Sequence, residues 1–128
     1  MRIIVDTHVF LWWITDSPEL SARARAVMSE GRNTLFFSAA CGWEIAIKTH
    51  LGRLQLPDRP ERFIPDQLAR NNMESLPISM LHALHVAVLP HLHRDPFDRM
   101  LVSQAQVERL PILTADSLIA RYQIETIW

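Results

Sequence analysis

The chain contains one cysteine, three glycines and no surplus of positive charge. Cys41 cannot close an internal disulfide, and no Cys-His spacing of a zinc site surrounds it, so a reducing, cytoplasmic setting is expected. So little glycine argues against flexible low-complexity linkers, and the eight prolines are scattered between segments without forming a tract. Thirteen Lys and Arg face 14 Asp and Glu, for a net charge of -1. Proteins that grip nucleic acid along a broad basic stripe carry an excess of cations. A nucleic-acid partner would therefore have to be held by a few local cations and by bound metal. The apolar run Val9 to Ile14 is too short to span a membrane and follows an aspartate, so it reads as neither a signal peptide nor an anchor.

What is present suits a folded core. Apolar residues make up 48% of the 128, and no composition break divides them, so residues 1–128 read as a single domain. Strand-like and helix-like segments alternate. Arg2 to Val5 is a short β-branched run, the mark of a buried strand. Ser17 to Glu30 reads as a helix capped by Ser17 and closed by Gly31. Thr34 to Phe37 is a second strand. Ala39 to Leu51 is the clearest helix, with Ala40, Trp43, Ile47 and Leu51 on one face and Gly52 at its end. Arg59 to Asn71 is helical despite Pro65, and Leu76 to Ile78 is a strand. Met80 to Leu89 and Pro96 to Arg109 are helices. A strand at Ile112 to Thr114, a short helix at Ser117 to Tyr122 and a strand at Glu125 to Trp128 complete the chain. Such alternation predicts an α/β fold with a mainly parallel sheet covered on both faces.

In a sheet of this kind, ligands bind beyond the carboxyl ends of the strands. Asp6 directly follows the first strand, and Asp116 follows Ile112 to Thr114 after one alanine. Glu44 lies at the edge of the apolar stripe of its helix. Asp98 shares a face with Leu101, Val102 and Ala105, one turn into its own. Half-buried carboxylates are costly unless paired or bound to metal. Several converging oxygen ligands without His or Cys suit a hard cation such as Mg²⁺ or Mn²⁺, which can activate water against a phosphodiester. Each residue also has a plainer explanation. Asp6 can cap the turn after its strand, Glu44 can pair with Lys48, Asp98 can close a capping box with Asp95, and Asp116 can cap the helix from Ser117. It is their convergence that argues for a site.

The segments Val5-Asp-Thr-His-Val-Phe-Leu-Trp-Trp13, Trp43-Glu-Ile-Ala-Ile-Lys48, Asp95-Pro-Phe-Asp-Arg99 with Gln104-Ala105, and Leu113-Thr-Ala-Asp116 resemble the PIN-domain family, and more closely its VapC-type toxins. The resemblance covers nearly the whole chain, with four motifs in order. It implies an α/β/α sandwich with Mg²⁺- or Mn²⁺-dependent endoribonuclease activity. It makes Asp6, Glu44, Asp98 and Asp116 the catalytic, metal-binding set, with Asp6 and Asp98 as direct ligands and Thr7 and Thr114 in support. It further implies a homodimer, a VapB-like antitoxin, and cleavage of structured RNA (tRNA or rRNA) that stops translation. Cys41 stands where relatives often carry serine.

Lys48, Arg94 and Arg99 lie beside the acidic set in sequence and could touch phosphates, although a solvated charge or a carboxylate partner is the favoured reading for each. His82, His85, His91 and His93 cluster without standard zinc spacing, and His8 is expected in the site's wall. Phe10, Trp12 and Trp13 suit a core, dimer or antitoxin contact better than base stacking, and the segments Ser17 to Glu30 and Arg59 to Asn71 could form an antitoxin groove. A phosphoryl-accepting receiver is disfavoured because Asp6 precedes Thr7 and His8 and no lysine follows Lys48. An Asp-x-Asp phosphatase fails at His8. A silent PIN-like binding module and a nuclease acting on DNA remain as alternatives.

Overall fold

A computed structural model describes all of residues 1–128. Its centre is one sheet of five strands, β1 (Arg2–Val5), β2 (Thr34–Ser38), β3 (Met73–Leu76), β4 (Ile112–Leu113) and β5 (Thr126–Ile127), in the order β3-β2-β1-β4-β5. Every pairing is parallel, with Ile4 beside Phe36 on one side and Ile112 on the other. Successive strand residues point to opposite faces, yet Ile3, Ile4 and Val5 are all fully buried, so helices cover both sides of β1.

The helices are α1 (Thr7–Ile14), α2 (Ala22–Ser29), α3 (Ala39–His50), α4 (Pro60–Arg70), α5 (Met80–His85) and α6 (Pro96–Glu108). Helix α1 has no counterpart in the sequence pattern: Thr7 to Ile14 is apolar nearly all round, so no 3.6-residue period marks it. Its start is fixed by Asp6, whose Oδ1 accepts the Thr7 backbone N–H at 2.7 Å. Helix α2 begins later than expected because Ser21, not Ser17, caps it, accepting from Ala24 N at 3.0 Å. Strand β3 lies three residues before the expected start at Leu76, ending ahead of Pro77, which cannot donate to a ladder. The segment 117–122 holds only a 3₁₀ turn at Ile119–Arg121. Pro65 sits inside α4 on its exposed side, with Ile64 and Leu68 inward.

Helix α3 is rotated from its expected face. Trp43 and Leu51 are more than half exposed, while Cys41, Glu44 and Ile45 are buried. The inward place of Glu44 on this helix is what brings it to the sheet.

The strand order makes the chain run outward from β1 to β3 and then return to β4 on the other side of β1. The carboxyl ends of β1 and β4 therefore flank the point where the winding reverses, the place where open α/β sheets form their ligand crevice. Beneath it, Phe10 is fully buried and meets Phe37 at 4.5 Å between ring centroids. Phe10→Ala is expected to cost about 3–5 kcal/mol through cavity formation, read as a lower midpoint in chemical unfolding.

Candidate metal-dependent active site

Asp6 and Thr114 emerge side by side at that reversal point. Asp6 is 3% exposed, and its second oxygen, Oδ2, accepts the Thr114 hydroxyl proton at 2.7 Å. Thr114 Oγ1 in turn accepts the Asp116 N–H at 3.0 Å, which holds the chain after β4 against β1. Asp116 Oδ1 accepts from Leu118 N, so this residue does act as a local cap, leaving Oδ2 free of any protein donor. Asp6, Asp116, His8, Trp12 and Ala115 line a shallow depression.

Glu44 reaches the same place from α3. It is 4% exposed and accepts from the Thr7 hydroxyl through Oε1 and from Lys48 Nζ through Oε2, each at 2.7 Å. The pairing with Lys48 is therefore real, and it lies inside the site: Thr7, one residue after Asp6, joins the first helix to the third through Glu44. Ser38, the cap of α3, donates its hydroxyl proton to the Gln104 side chain, tying α3 to α6. Asp95 caps α6 by accepting from Phe97 N and Asp98 N, so it is Asp95 alone that caps, and Asp98 is left to face the cluster.

The electrostatics show that these groups share one field. The Asp98 carboxyl is pushed up from 3.8 to about 8, first by burial and then by the negative charges of Asp95, Asp6, Asp116 and Glu44. Asp6 is raised as well, mainly by burial and further by Glu44, against the lowering effects of Thr114, His8 and Thr7. A buried thiol, Cys41, lies within reach of the same carboxylates, and burial pushes its ionisation far up, so it is inert as a nucleophile. Like charges held close without a cation raise one another's pKa. This is the electrostatic condition a divalent ion relieves.

The donor set is all oxygen, which fits Mg²⁺ or Mn²⁺ better than zinc or copper. No three His, Cys, Asp or Glu side chains close into a cage. Mg²⁺ does not require one, because it keeps several waters and is commonly held by one or two carboxylates together with substrate phosphate.

The PIN-domain family model matches residues 3–125. The chain belongs to the PIN-domain family. It is 36% identical over 72 residues to Ribonuclease VapC16 of Mycobacterium tuberculosis (strain ATCC 25618 / H37Rv), a stretch covering 53% of this chain and 51% of that protein. The chain thus matches about half the length of that curated relative. Its fold is similar to that of VapBC2 from Rickettsia felis, solved bound to a DNA fragment from its promoter, with TM-score 0.72, 14% identity, and 99% and 98% of the two chains covered. DNA-bound VapBC from Salmonella typhimurium gives TM-score 0.70 at 18% identity, covering 99% and 97%.

Not every expected residue faces the acidic cluster of this PIN domain. Arg99 is 8% exposed, and its guanidinium is taken up by protein acceptors, donating to the Pro90 and Leu89 carbonyls and to the Tyr122 hydroxyl. The physical reason is that Arg99, in the first turn of α6, lies against the irregular segment after the 86–88 turn, whose Leu89 and Pro90 carbonyls accept its guanidinium. Arg94 is exposed and lines a groove of about 310 Å³ with Trp43, Phe97 and Met100, where Trp43 meets Phe97 edge-on at 5.1 Å. Lys48 is half-exposed at the margin of the site. The histidines disperse: His82 binds Glu108, His85 binds Gln106 and His91 is exposed. Of the four clustered in sequence, His93 turns to the site, with Nε2 at 3.4 Å from Asp98 Oδ2 and Nδ1 at 2.8 Å from the Tyr122 hydroxyl. Sequence reading grouped it with its neighbours, and its only separate signal was a position five residues before Asp98. Of the three aromatics, Phe10 is core, Trp12 packs beside His8 and Trp128, and Trp13 donates its indole N–H to Asn71 Oδ1 at 2.9 Å. No helix is long and apolar enough to cross a membrane.

Proposed function

We propose that this PIN domain is a Mg²⁺- or Mn²⁺-dependent endoribonuclease, the toxin of a VapBC-type pair, that cuts structured RNA such as tRNA or rRNA and so inhibits translation. What supports the reading is that Asp6 and Asp116 line one depression where the winding reverses, that Glu44 is bonded to Thr7 beside Asp6, and that Asp98 is buried within the field of these carboxylates. The name of the Mycobacterium relative supports ribonuclease chemistry, and the VapBC complexes support a VapB-like antitoxin partner.

Asp6 and Asp98 are assigned as direct metal ligands, with Asp116 adding a third oxygen through water or directly. A divalent ion held there would supply a water of lowered pKa and positive charge against the phosphoryl oxygens. Thr114 holds Asp6 in its rotamer, and Thr7 holds Glu44, so the carboxylates are set before substrate arrives. Lys48 neutralises one oxygen of Glu44 and offers a half-exposed cation to the RNA backbone. Arg94 offers a second, exposed cation for the RNA backbone. Burial of Asp6 and Glu44 keeps bulk water from their shared edge.

Exposed Met80, Leu81, Leu84 and Val88 form an apolar surface on α5 and the turn after it, suited to the proposed homodimer or antitoxin contact. Lys48→Ala is expected to lower RNA cleavage about tenfold by leaving Glu44 unneutralised, checked by initial rates at saturating Mg²⁺. The function itself is tested with RNA and DNA oligonucleotides of one sequence. Cleavage of the RNA in Mg²⁺, suppressed by the cognate antitoxin, is expected; cleavage of the DNA alone would overturn the ribonuclease assignment.

A further inference from the structure

Arg99, Tyr122, His93 and Asp98 form a chain of hydrogen bonds whose direction is fixed by chemistry. Arg99 Nη1 lies 3.1 Å from the Tyr122 hydroxyl, and a guanidinium can only donate. Tyr122 is 4% exposed, and the sole other partner of its hydroxyl is His93 Nδ1 at 2.8 Å. The hydroxyl proton therefore has one acceptor available, His93 Nδ1, since burial of an unsatisfied hydroxyl is costly. If Nδ1 accepts, the imidazole proton sits on Nε2, the nitrogen that faces Asp98 Oδ2 at 3.4 Å. The His93 and Asp98 side chains are only 8% and 16% exposed, so solvent does not compete strongly for either. The contact is long for an N–H···O bond, as hydrogen bonds at catalytic sites often are before ligand binds and tightens them.

We propose that Arg99, Tyr122 and His93 form a positioning relay that locks the His93 Nε2–H tautomer and orients the Asp98 carboxylate for metal binding. The inference rests on the assignment of Asp98 as a metal ligand. It gives a role to a buried arginine and to a histidine that no zinc spacing explains. It also couples the site to the far end of the chain, because Tyr122 lies between the last 3₁₀ turn and β5. Hydrogen-bond partners of metal ligands commonly set affinity by 10- to 100-fold.

The experiment has two arms on the full chain. In the first, ¹⁵N-detected NMR of the imidazole groups reads the His93 tautomer in metal-free wild-type protein. A protonated Nε2 with an unprotonated Nδ1 is expected, and a protonated Nδ1 would overturn the relay. In the second, Mn²⁺ affinity is measured by calorimetry for the wild type, Tyr122→Phe, His93→Leu, His93→Gln and Asp98→Asn. Tyr122→Phe is expected to weaken Mn²⁺ about 3- to 10-fold and His93→Leu about 10- to 100-fold. His93→Gln, which keeps an N–H donor near the Nε2 position, should recover part of that loss. Thermal midpoints identify any variant that fails to fold; the leucine–glutamine pair and the wild-type tautomer then decide the matter. Equal Mn²⁺ affinity in wild type and Asp98→Asn would overturn the metal-ligand assignment itself. A normal loss in Asp98→Asn, with Tyr122→Phe and His93→Leu unmoved, would overturn the relay alone.

Discussion

At pH 8.5 without divalent metal, Asp98→Asn is expected to unfold at a higher temperature than the wild type, by at least about 5–10 °C, the thermal equivalent of part of the roughly 5–6 kcal/mol that ionisation at 3.8 unfolded and about 8 folded would cost. The sign follows from the raised pKa. Unfolded, Asp98 ionises near its ordinary 3.8; folded, it holds its proton to about 8. Between those values the native state binds more protons than the unfolded state, so stability falls as pH rises. The contribution from this group is fully present below about 3.8 and lost as pH climbs through about 8. Asparagine carries no such charge and removes the penalty. Near pH 4 the two proteins should therefore converge. Adding Mg²⁺ at pH 8.5 should raise the wild-type midpoint relative to the variant, because a ligand at about 100 times its dissociation constant stabilises the state that binds it by about 2.7 kcal/mol. Melting curves from pH 4 to 9, with and without Mg²⁺, give the result. A wild-type midpoint that does not fall toward alkaline pH relative to the variant would show that the carboxylates do not repel one another as described.

Asp6→Asn should have the largest effect on chemistry, lowering RNA cleavage by about 10²–10³-fold or more. It should do so in a folded protein. Asparagine caps helices about as well as aspartate, and its Oδ1 can still accept the Thr7 N–H that starts α1. The substitution removes a negative charge from a residue 3% exposed while leaving the strand end and the helix start in place. Initial rates on a defined RNA, set beside far-UV circular dichroism and the thermal midpoint, separate loss of chemistry from loss of fold. Rates within threefold of wild type would remove Asp6 from the reaction.

How legible the molecule was in its sequence depended on where each residue's environment is decided. Asp6 and Asp116 were readable because a strand end is marked locally, by β-branched residues giving way to a polar one, and a parallel sheet sends strand ends to one edge. The winding reversal between β1 and β4 needs the strand order β3-β2-β1-β4-β5, which no local signal carries. Helix α1 was hidden because Val9 to Ile14 is apolar on every side, and periodicity is silent in such a run. The face of α3 was misjudged because an inward Glu44 displaces the apolar stripe, leaving Trp43 outside and Cys41 inside. Arg99 was assigned by its nearness to Asp98 in sequence, yet one step along a helix turns a side chain by about 100°. Its partners at Leu89, Pro90 and Tyr122 are distant or irregular segments that bring carbonyl and hydroxyl oxygens to α6 only after folding.

The acidic residues show why local and functional explanations need not compete. Asp6 caps α1 and Asp116 caps the turn after β4, while Glu44 pairs with Lys48. In each case the local bond uses one carboxylate oxygen or neutralises it, and so fixes the side chain that the cluster needs. The rigidity of the site comes from these bonds, together with Thr7 and Thr114, which bridge helix to helix and strand to strand.

The account is tested most directly by incubating the purified protein, free of antitoxin, with total cellular RNA in Mg²⁺ or Mn²⁺, in EDTA, and with Asp6→Asn and Asp98→Asn in place of the wild type. Discrete RNA fragments that form only with metal and only with the wild type are the predicted result. Fragments that persist in EDTA or in both variants, or no cleavage by a folded wild type under any metal condition, would contradict it.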